Sequence, residues 1–332
     1  MDRGVLSWLA AAGGKAGPNS RGRELLNVEK MVPDREKNIM LTIAYDGTDF
    51  SGFQSQRGSG LATIQESLEN ALERLTGKPV SVEGSGRTDA GVHAWGQVVN
   101  FHSDSSIPPE RWGLALRPYL PESITVRESR QVAEDFHARF SAKEKTYRYQ
   151  FYCGRVMSPF YRRYASHVAY PVDQAAMAAA AAYFVGEHDF RGFCAAGTPT
   201  ENFVREIFGC RVLDLGGGAG FALGGDGAAG ARAAATGAGA KLSASTGLPA
   251  GASLAADWST DSARLLAVEI RGSGFLWNMV RIIAGTLLEV GAGKRRPSEI
   301  PVLLGMGDRR QSGVTLPPQG LFLMNVNYPG LD

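Results

Sequence analysis

The chain has 332 residues, of which 44% are hydrophobic and 20% charged, and this globular composition excludes a mostly disordered chain. Its 35 basic and 33 acidic residues leave a net charge of +2, so a strongly basic chain is excluded and any nucleic-acid surface must be a local patch. No apolar run approaches the roughly 18 residues that span a bilayer, and the length is typical of about two domains.

The first predicted elements begin near Asn38, after a segment that we interpret as a flexible N-terminal extension of residues 1–36. Thr63 and Glu66 have the spacing of a capping box, and apolar residues follow at helical spacing as far as Gly77, a typical helix end. We predict strands at 39–45, 80–82 and 97–101, a helix between Thr63 and Gly77, and a glycine-rich loop at 84–94.

The second half of the chain has a similar mixture of elements. We predict strands at 146–152, 204–212 and 264–270, a helix at 174–185 capped by Asp173 and ended by Gly186, and a long helix at 275–290 ended by Gly291. Of the 41 residues at 216–256, 27 are Gly or Ala, which indicates a low-complexity insertion looped out between two strands that pair as a hairpin. The pattern predicts an α+β fold with helices on one face of a sheet.

Several common functional motifs are missing from the sequence. It has no phosphate-binding P-loop, no H-E-x-x-H zinc motif, no G-x-S-x-G elbow and no dinucleotide fingerprint. The cysteines Cys153, Cys194 and Cys210 are odd in number and widely spaced, which argues against a disulfide framework or a zinc knuckle and favours a reducing, cytoplasmic setting. We therefore expect neither a metal ion nor an organic cofactor.

The loop 84–94 is the first candidate for chemistry. Arg87 and Asp89 are two residues apart, so both side chains point to the same side of an extended segment. A nearby arginine favours an ionised carboxylate, which can be a nucleophile or a general base. The alternative is an ordinary turn in which Asp89 caps backbone amides and Arg87 is solvated.

The segment 139–163 is the second candidate, because basic and aromatic residues alternate in it. Basic side chains bind phosphates and aromatic rings stack on bases, so the mixture suits single-stranded or looped RNA. The alternative is an ordinary strand, and Tyr147, Tyr149 and Phe151 do share one strand face. The seven basic residues are Arg139, Lys143, Lys145, Arg148, Arg155, Arg162 and Arg163, and the seven aromatic ones are Phe140, Tyr147, Tyr149, Phe151, Tyr152, Phe160 and Tyr161.

Arg281 is the third candidate, because it lies among apolar residues in the predicted helix 275–290. A buried arginine needs an anionic partner, and Asp89 or a phosphate are the natural ones. The alternative is that its side chain extends along the helix to the surface.

In these three candidate regions, the loop 84–94, the segment 139–163 and the helix around Arg281, the chain resembles the TruA-type tRNA pseudouridine synthase family. The stretch from Gly86 to Ala94 is the most specific match, and the segment 194–202, the insertion and the N-terminal extension depart from the family pattern. The other matching stretches are 44–47, 63–66, 96–101, 135–142, 147–149, 186–190, 275–281 and 320–323.

The resemblance implies two ferredoxin-like α/β halves around a joined antiparallel sheet, with the active-site cleft between them. We place these halves at 37–142 and 143–329. It also implies a homodimer in which the tRNA contacts both protomers, isomerisation of uridines 38, 39 and 40 in the anticodon stem-loop, and no cofactor. RNA contacts are expected from the segment 194–202 as well.

The resemblance also implies roles for particular residues. Asp89 matches the catalytic aspartate, which acts on the sugar or on the base, and Arg281 matches the arginine that pairs with it. Tyr147 matches the tyrosine that stacks on the target base, with proton transfer as a further role, and Arg87 matches the arginine that aids base flipping. A tRNA-contacting segment is matched by Phe136, His137, Arg139 and Phe140.

Two other functions remain open from the residues alone. An RNA-binding module without catalysis would use the basic and aromatic segment and would leave the combination of Arg87, Asp89 and Arg281 unexplained. A carboxylate-dependent glycosidic hydrolase would use Asp89 together with Glu83 and would release free uracil.

Overall fold

A computed structural model describes residues 36–217 and 263–331, in which ten strands form one open sheet. The strands are β1 (Lys37–Tyr45), β2 (Glu83–Gly84), β3 (His93–Ser103), β4 (Ile124–Gln131), β5 (Glu144–Cys153), β6 (Ser166–Val168), β7 (Gly186–Asp189), β8 (Val204–Gly217), β9 (Arg264–Gly272) and β10 (Leu321–Asn327). The α-helices are α1 (Ile64–Thr76), α2 (Trp112–Leu116), α3 (Gln174–Ala181), α4 (Met279–Gly291) and α5 (Ile300–Met306). Among these described residues no helix is long and apolar enough to cross a membrane.

The last strand of the chain joins the two halves of the sheet. The strand order is β4-β1-β3-β10-β5-β9-β8-β7, with β2 beside β3 and β6 beside β5. Two pairings are parallel, β10 with β3 and β5 with β6, and the other neighbours are antiparallel. The α+β class and the joined, mostly antiparallel sheet are therefore confirmed, whereas the boundary between halves at residue 142 stays a prediction.

Helix α1 follows from the sequence pattern at both of its ends. The Thr63 hydroxyl accepts a hydrogen bond from the Glu66 backbone N–H at 3.3 Å, and Gly77 ends the helix at a φ of 75°, a conformation that glycine adopts easily. The Glu66 carboxylate does not return to the cap but accepts hydrogen bonds from Ser55 Oγ and the Gln56 N–H, both at 2.8 Å. The capping box is thus half formed, and its glutamate holds the preceding loop.

Most predicted strands lie inside observed ones, but the strand at 80–82 is wrong. The Val82 N–H donates to Glu69 Oε1 and the Val82 carbonyl accepts from Gln65 Nε2, so this backbone bonds to side chains of α1 rather than to a neighbouring strand. The ladder begins one residue later, at β2. The predicted hairpin is confirmed, because β8 and β9 are antiparallel, with Val212 opposite Val268.

The two predicted helices of the second half are shorter than expected. α3 ends at Ala181 and continues as a 3₁₀ turn over Ala182–Phe184. α4 begins at Met279 instead of residue 275, because Asn278 has a φ of 61° and interrupts the helical backbone. Residues 275–278 are therefore a loop, and this change of direction brings Trp277 to the candidate site described below.

Two predicted segments lie largely outside the described residues. These are the N-terminal extension, of which only residue 36 is described, and the insertion at 216–256, of which only Gly216 and Gly217 are described. These two glycines belong to β8, which is five residues longer than predicted.

The buried carboxylate of Glu269 connects three strands of the second half. Glu269 on β9 lies opposite Arg148 on β5 and Arg211 on β8. Its two carboxylate oxygens each accept two hydrogen bonds, at 2.7 and 3.1 Å from Arg148 and at 2.5 and 2.9 Å from Arg211. Burial alone would raise the pKa of Glu269, but the hydrogen bonds and charges of the arginines outweigh it and lower that pKa below its ordinary value.

Candidate active site

The loop between β2 and β3 is held on both sides by hydrogen bonds. At its start, Ser85 pairs with β3 through its N–H to the Val98 carbonyl at 2.8 Å, and Gln97 Nε2 donates to the Gly86 carbonyl at 2.9 Å. In its middle, the hydroxyls of Thr88 and Tyr45 are 2.8 Å apart. These contacts give the loop residues 85–92 a defined backbone, which is the requirement for a precisely oriented side chain at position 89.

Asp89 is the centre of the site and has two side-chain partners. Its Oδ2 accepts a hydrogen bond from Arg281 Nη1 at 3.3 Å, and its Oδ1 accepts one from Trp277 Nε1 at 3.2 Å. The carboxylate remains 35% exposed. Both oxygens are therefore oriented by the protein while the group stays open to a ligand.

Arg281 lies in the first turn of α4 and is 14% exposed, so it does not extend to the surface. Its Nε donates to the Leu316 carbonyl at 2.6 Å, and its Nη1 donates to Asn278 Oδ1 at 2.6 Å as well as to Asp89. The sequence suggested Asp89 or a phosphate as the anionic partner of Arg281, and in the structure Asp89 is that partner. The asparagine that interrupts the helix thus also orients the guanidinium.

Tyr147 lies on β5 with its ring buried beside the Phe275 ring, at 5.1 Å between centroids in an edge-to-face arrangement. Burial raises the pKa of Tyr147, and the charges of Tyr45 and Asp89 raise it further. In the described part of the chain its hydroxyl has no hydrogen-bond partner. The hydroxyl therefore stays protonated and has a free donor.

Asp89, Tyr147 and Trp277 line a cleft of about 810 Å³ that is rich in basic side chains. Its charged and titratable lining residues are Glu83, Arg87, Asp89, Arg139, Lys145, Tyr147 and Arg205. Arg87 is exposed at the rim, where its Nε donates to Gln54 Oε1 at 2.9 Å. Thr198, Pro199 and Thr200 also line the cleft, so this part of the segment 194–202 does face it.

The segment from Phe136 to Phe140 is divided between core and surface. Phe136 is buried against the Tyr328 ring, at 5.0 Å between centroids, and its side chain is not part of the cleft. The Phe140 ring is 72% exposed and lies beside the His137 ring, and the guanidinium of Arg139 lies 5.6 Å from the Phe140 ring centre. The accessible surface of this segment therefore consists of Arg139, Phe140 and part of His137.

The basic and aromatic segment 139–163 is not one continuous surface. Tyr149, Phe151 and Tyr161 are core residues. Arg148 points away from the Tyr147 face of β5 and is paired with Glu269. Only Arg139, Lys145 and Tyr147 of the segment line the cleft. The alternative interpretation, an ordinary strand with aromatic core residues, therefore holds for much of the segment 139–163.

Residues of the site that the sequence does not predict include Trp277, Asn278, Lys145 and Arg205. Trp277 was assigned to a helix, and no local signal predicts that its indole reaches Asp89, 188 residues away in the chain. Lys145 was counted only as one of seven cations, and Arg205 only as part of a strand. The alternation of β5 could have singled out Lys145, because it is two residues from Tyr147 and so belongs to the same face.

The chain is similar to known proteins over most of its length. The family model described as tRNA pseudouridine synthase matches residues 41–141 and 180–329. A protein named tRNA pseudouridine synthase A from Brevibacillus brevis is 41% identical over 292 residues, which cover 88% of this chain and 100% of that protein. Proteins of the same name from Caldicellulosiruptor saccharolyticus and Moorella thermoacetica are 37% and 39% identical, over 88% and 87% of this chain and 100% and 99% of their own lengths.

Proposed function

We propose that this chain, which belongs to the tRNA pseudouridine synthase family, isomerises uridines 38, 39 and 40 in the anticodon stem-loop of tRNA. The conversion of uridine to pseudouridine is an isomerase reaction. The bond between C1′ and N1 breaks, the base turns, C1′ is joined to C5, the C5 proton leaves and N1 is protonated. The observation that supports this function best is the oriented carboxylate of Asp89 at the edge of a basic cleft.

Asp89 is the proposed catalytic residue. Its carboxylate acts as nucleophile or base on the flipped nucleotide, and its two oxygens are distinguished by their partners. Oδ2 faces the cation of Arg281, which compensates the negative charge, and Oδ1 faces the neutral indole N–H of Trp277. Arg281 and Trp277 act through the carboxylate, since they hold it in one orientation before the substrate arrives.

Tyr147 and Arg87 are the proposed partners of the flipped base. The raised pKa of the Tyr147 hydroxyl makes it a hydrogen-bond donor rather than a base at neutral pH. Tyr147 lines the cleft, and in this proposal its ring stacks on the target base. Arg87 is exposed at the rim, and by giving up its hydrogen bond to Gln54 it could enter the space that an extruded base leaves.

The proposed tRNA surface continues from the cleft to Arg139, His137 and Phe140, whose exposed cation and rings suit phosphates and unstacked bases. Phe136 supports this segment from the core, so its own contribution to RNA binding is indirect. A homodimer whose two protomers both contact the tRNA, and a cytoplasmic location, complete the proposal.

A tritium-release assay tests this function. Wild type and Asp89→Asn are each given a tRNA transcript labelled at uridine C5, and Asp104→Asn, an exposed aspartate outside the cleft, is the matched control. We expect release by wild type and the control and none by Asp89→Asn, while tRNA binding by Asp89→Asn stays within about tenfold, because the exchange removes one negative charge and leaves the basic cleft unchanged.

Three outcomes would contradict the proposal. Normal release by Asp89→Asn would remove Asp89 from the mechanism. Binding of several tRNAs without release by wild type would favour an RNA-binding module, and release of free uracil would favour a hydrolase. Transcripts with a single uridine at position 38, 39 or 40 identify which of the three is modified.

A further inference from the structure

Lys145 has an unusual position for a lysine in this cleft. Its Nζ donates a hydrogen bond to the Ser85 carbonyl at 2.6 Å, at the start of the loop that contains Asp89. It also lies over Gly86, where a Cβ atom would come within 3.0 Å of Nζ. The glycine therefore leaves the ammonium room beside the loop backbone, and one of its three N–H donors is used there.

Within the described residues, 36–217 and 263–331, the ammonium of Lys145 has no carboxylate at ion-pair distance. Its strand neighbours at this register are Val326 and Gly272. Burial and the charge of Arg139 together lower the pKa of Lys145 to about 8. A partly buried cation without a counter-ion is costly, and an anion entering the cleft would reduce this cost.

The bound substrate is the anion that fits this position. Lys145 and Tyr147 are two residues apart on β5 and both line the cleft, so a nucleotide whose base stacks on Tyr147 has its backbone within the same space. The two unused N–H donors of Lys145 suit the oxygens of a phosphodiester, which a lysine binds as a point charge.

We propose that Lys145 is a positioning residue that binds a backbone phosphate of the target nucleotide and, through the Ser85 carbonyl, holds the Asp89 loop against it. This inference rests on the proposed function, because it takes RNA as the ligand. It adds a residue through which substrate binding and the geometry of the catalytic loop are coupled.

The test compares Lys145→Met, Lys145→Arg and wild type, with Lys294→Met as a matched control at an exposed lysine outside the cleft. Binding of a tRNA transcript is measured from low to moderate salt, and pseudouridine formation is measured in parallel. For Lys145→Met we expect a loss of about tenfold to a hundredfold in kcat/KM and a salt slope of binding lower by about one, as for the loss of one charged phosphate contact. Lys145→Arg is expected to keep most of the wild-type kcat/KM and most of the wild-type salt slope.

A pH profile separates this role from a purely structural one. The ammonium is needed for phosphate binding, so tRNA affinity of wild type falls as pH rises through about 8, where Lys145 loses its proton. Lys145→Arg lacks this fall, because arginine keeps its charge. The other titratable groups facing the cleft, Glu83, Arg87, Asp89, Arg139, Tyr147 and Arg205, are common to both proteins.

An unchanged salt slope in Lys145→Met would overturn the proposal even if activity is lost, since it would leave Lys145 only a structural support of the loop. So would equal pH profiles for wild type and Lys145→Arg. Thermal unfolding of each variant identifies a folding defect. If wild type binds tRNA but forms no pseudouridine, the proposed function fails, and the salt slope still tests the phosphate contact independently.

Discussion

The hydrogen bond from Trp277 to Asp89 can be removed without removing the ring that makes it. In Trp277→Phe an aromatic ring remains, the indole N–H is lost, and Asp89 Oδ1 loses its partner at 3.2 Å. The pairing of Oδ2 with Arg281 is untouched. Since we place Asp89 in the reaction itself, the expected effect is on kcat, with little change in KM.

The size of the effect follows from the geometry. A hydrogen bond to a charged acceptor contributes about 1.5–3 kcal/mol. Here the bond is long and both partners are accessible, Trp277 at 51% and Asp89 at 35%, so the lower end applies. About 1.5 kcal/mol corresponds to roughly a tenfold decrease in kcat. The melting temperature should change little, because the exchanged side chain is half exposed.

The matched control is Trp95→Phe, because the Trp95 indole N–H has no hydrogen-bond partner in the described part of the protein and lies outside the cleft. Tritium release from C5-labelled tRNA under single-turnover conditions measures the chemical step. If Trp277→Phe and Trp95→Phe were equally active, the indole N–H would not orient Asp89 and our assignment of its role would be refuted.

Two further predictions concern the core. Glu269→Gln should destabilise the fold by about 1.5–3 kcal/mol at pH 7, because the largely buried Arg148 loses its carboxylate partner, whereas the exposed Arg211 can be solvated. The lowered pKa of Glu269 stabilises the fold at pH values above its unfolded-state pKa of about 4.5, and this stabilisation is lost as pH falls through the folded-state pKa. The free energies of unfolding of wild type and variant, measured with denaturant, should therefore converge in acid. A difference between them that stays constant with pH would contradict this origin. Gly285→Ala in α4 should lower the melting temperature, because the added Cβ would lie 2.1 Å from the Val314 carbonyl oxygen. Gly305→Ala in α5 has open space and should be neutral or stabilising; equal melting temperatures for the two alanine variants would refute the contact.

Local patterns predicted the elements whose boundaries are set by local chemistry. Helix α1 was correct at both ends because a threonine cap and a glycine with positive φ act within a few residues. Strands β1, β3, β5 and β9 were found because their buried residues come in apolar runs. The strand predicted at 80–82 failed because its hydrogen-bond partners, Glu69 and Gln65, belong to a helix and not to a strand.

The candidate site, like the fold, was predicted best where a local motif defines it. The motif around Arg87 and Asp89 identified the loop, while its chemistry, which the family resemblance implies, stays a prediction. The error at 275–278 had a single cause, since the left-handed conformation of Asn278 is rare for a residue other than glycine and is not signalled by the apolar pattern around it. This error concealed Trp277, and counting charges along one segment concealed the difference between Lys145 in the cleft and Arg148 on the opposite face.

The sequence by itself determined the α+β class, five of the ten strands, the family and the loop that contains Asp89, because each depends on short-range periodicity or on local motifs. The sequence suggested Arg281 as a partner of the Asp89 carboxylate, but only the tertiary structure shows that the two side chains meet and that the Trp277 indole is the second partner. Arg281 is 192 residues from Asp89 in the chain, and β10 must insert between β3 and β5 for the two halves to form one sheet. Long-range pairing of this kind depends on the packing of the whole core and not on the local chain.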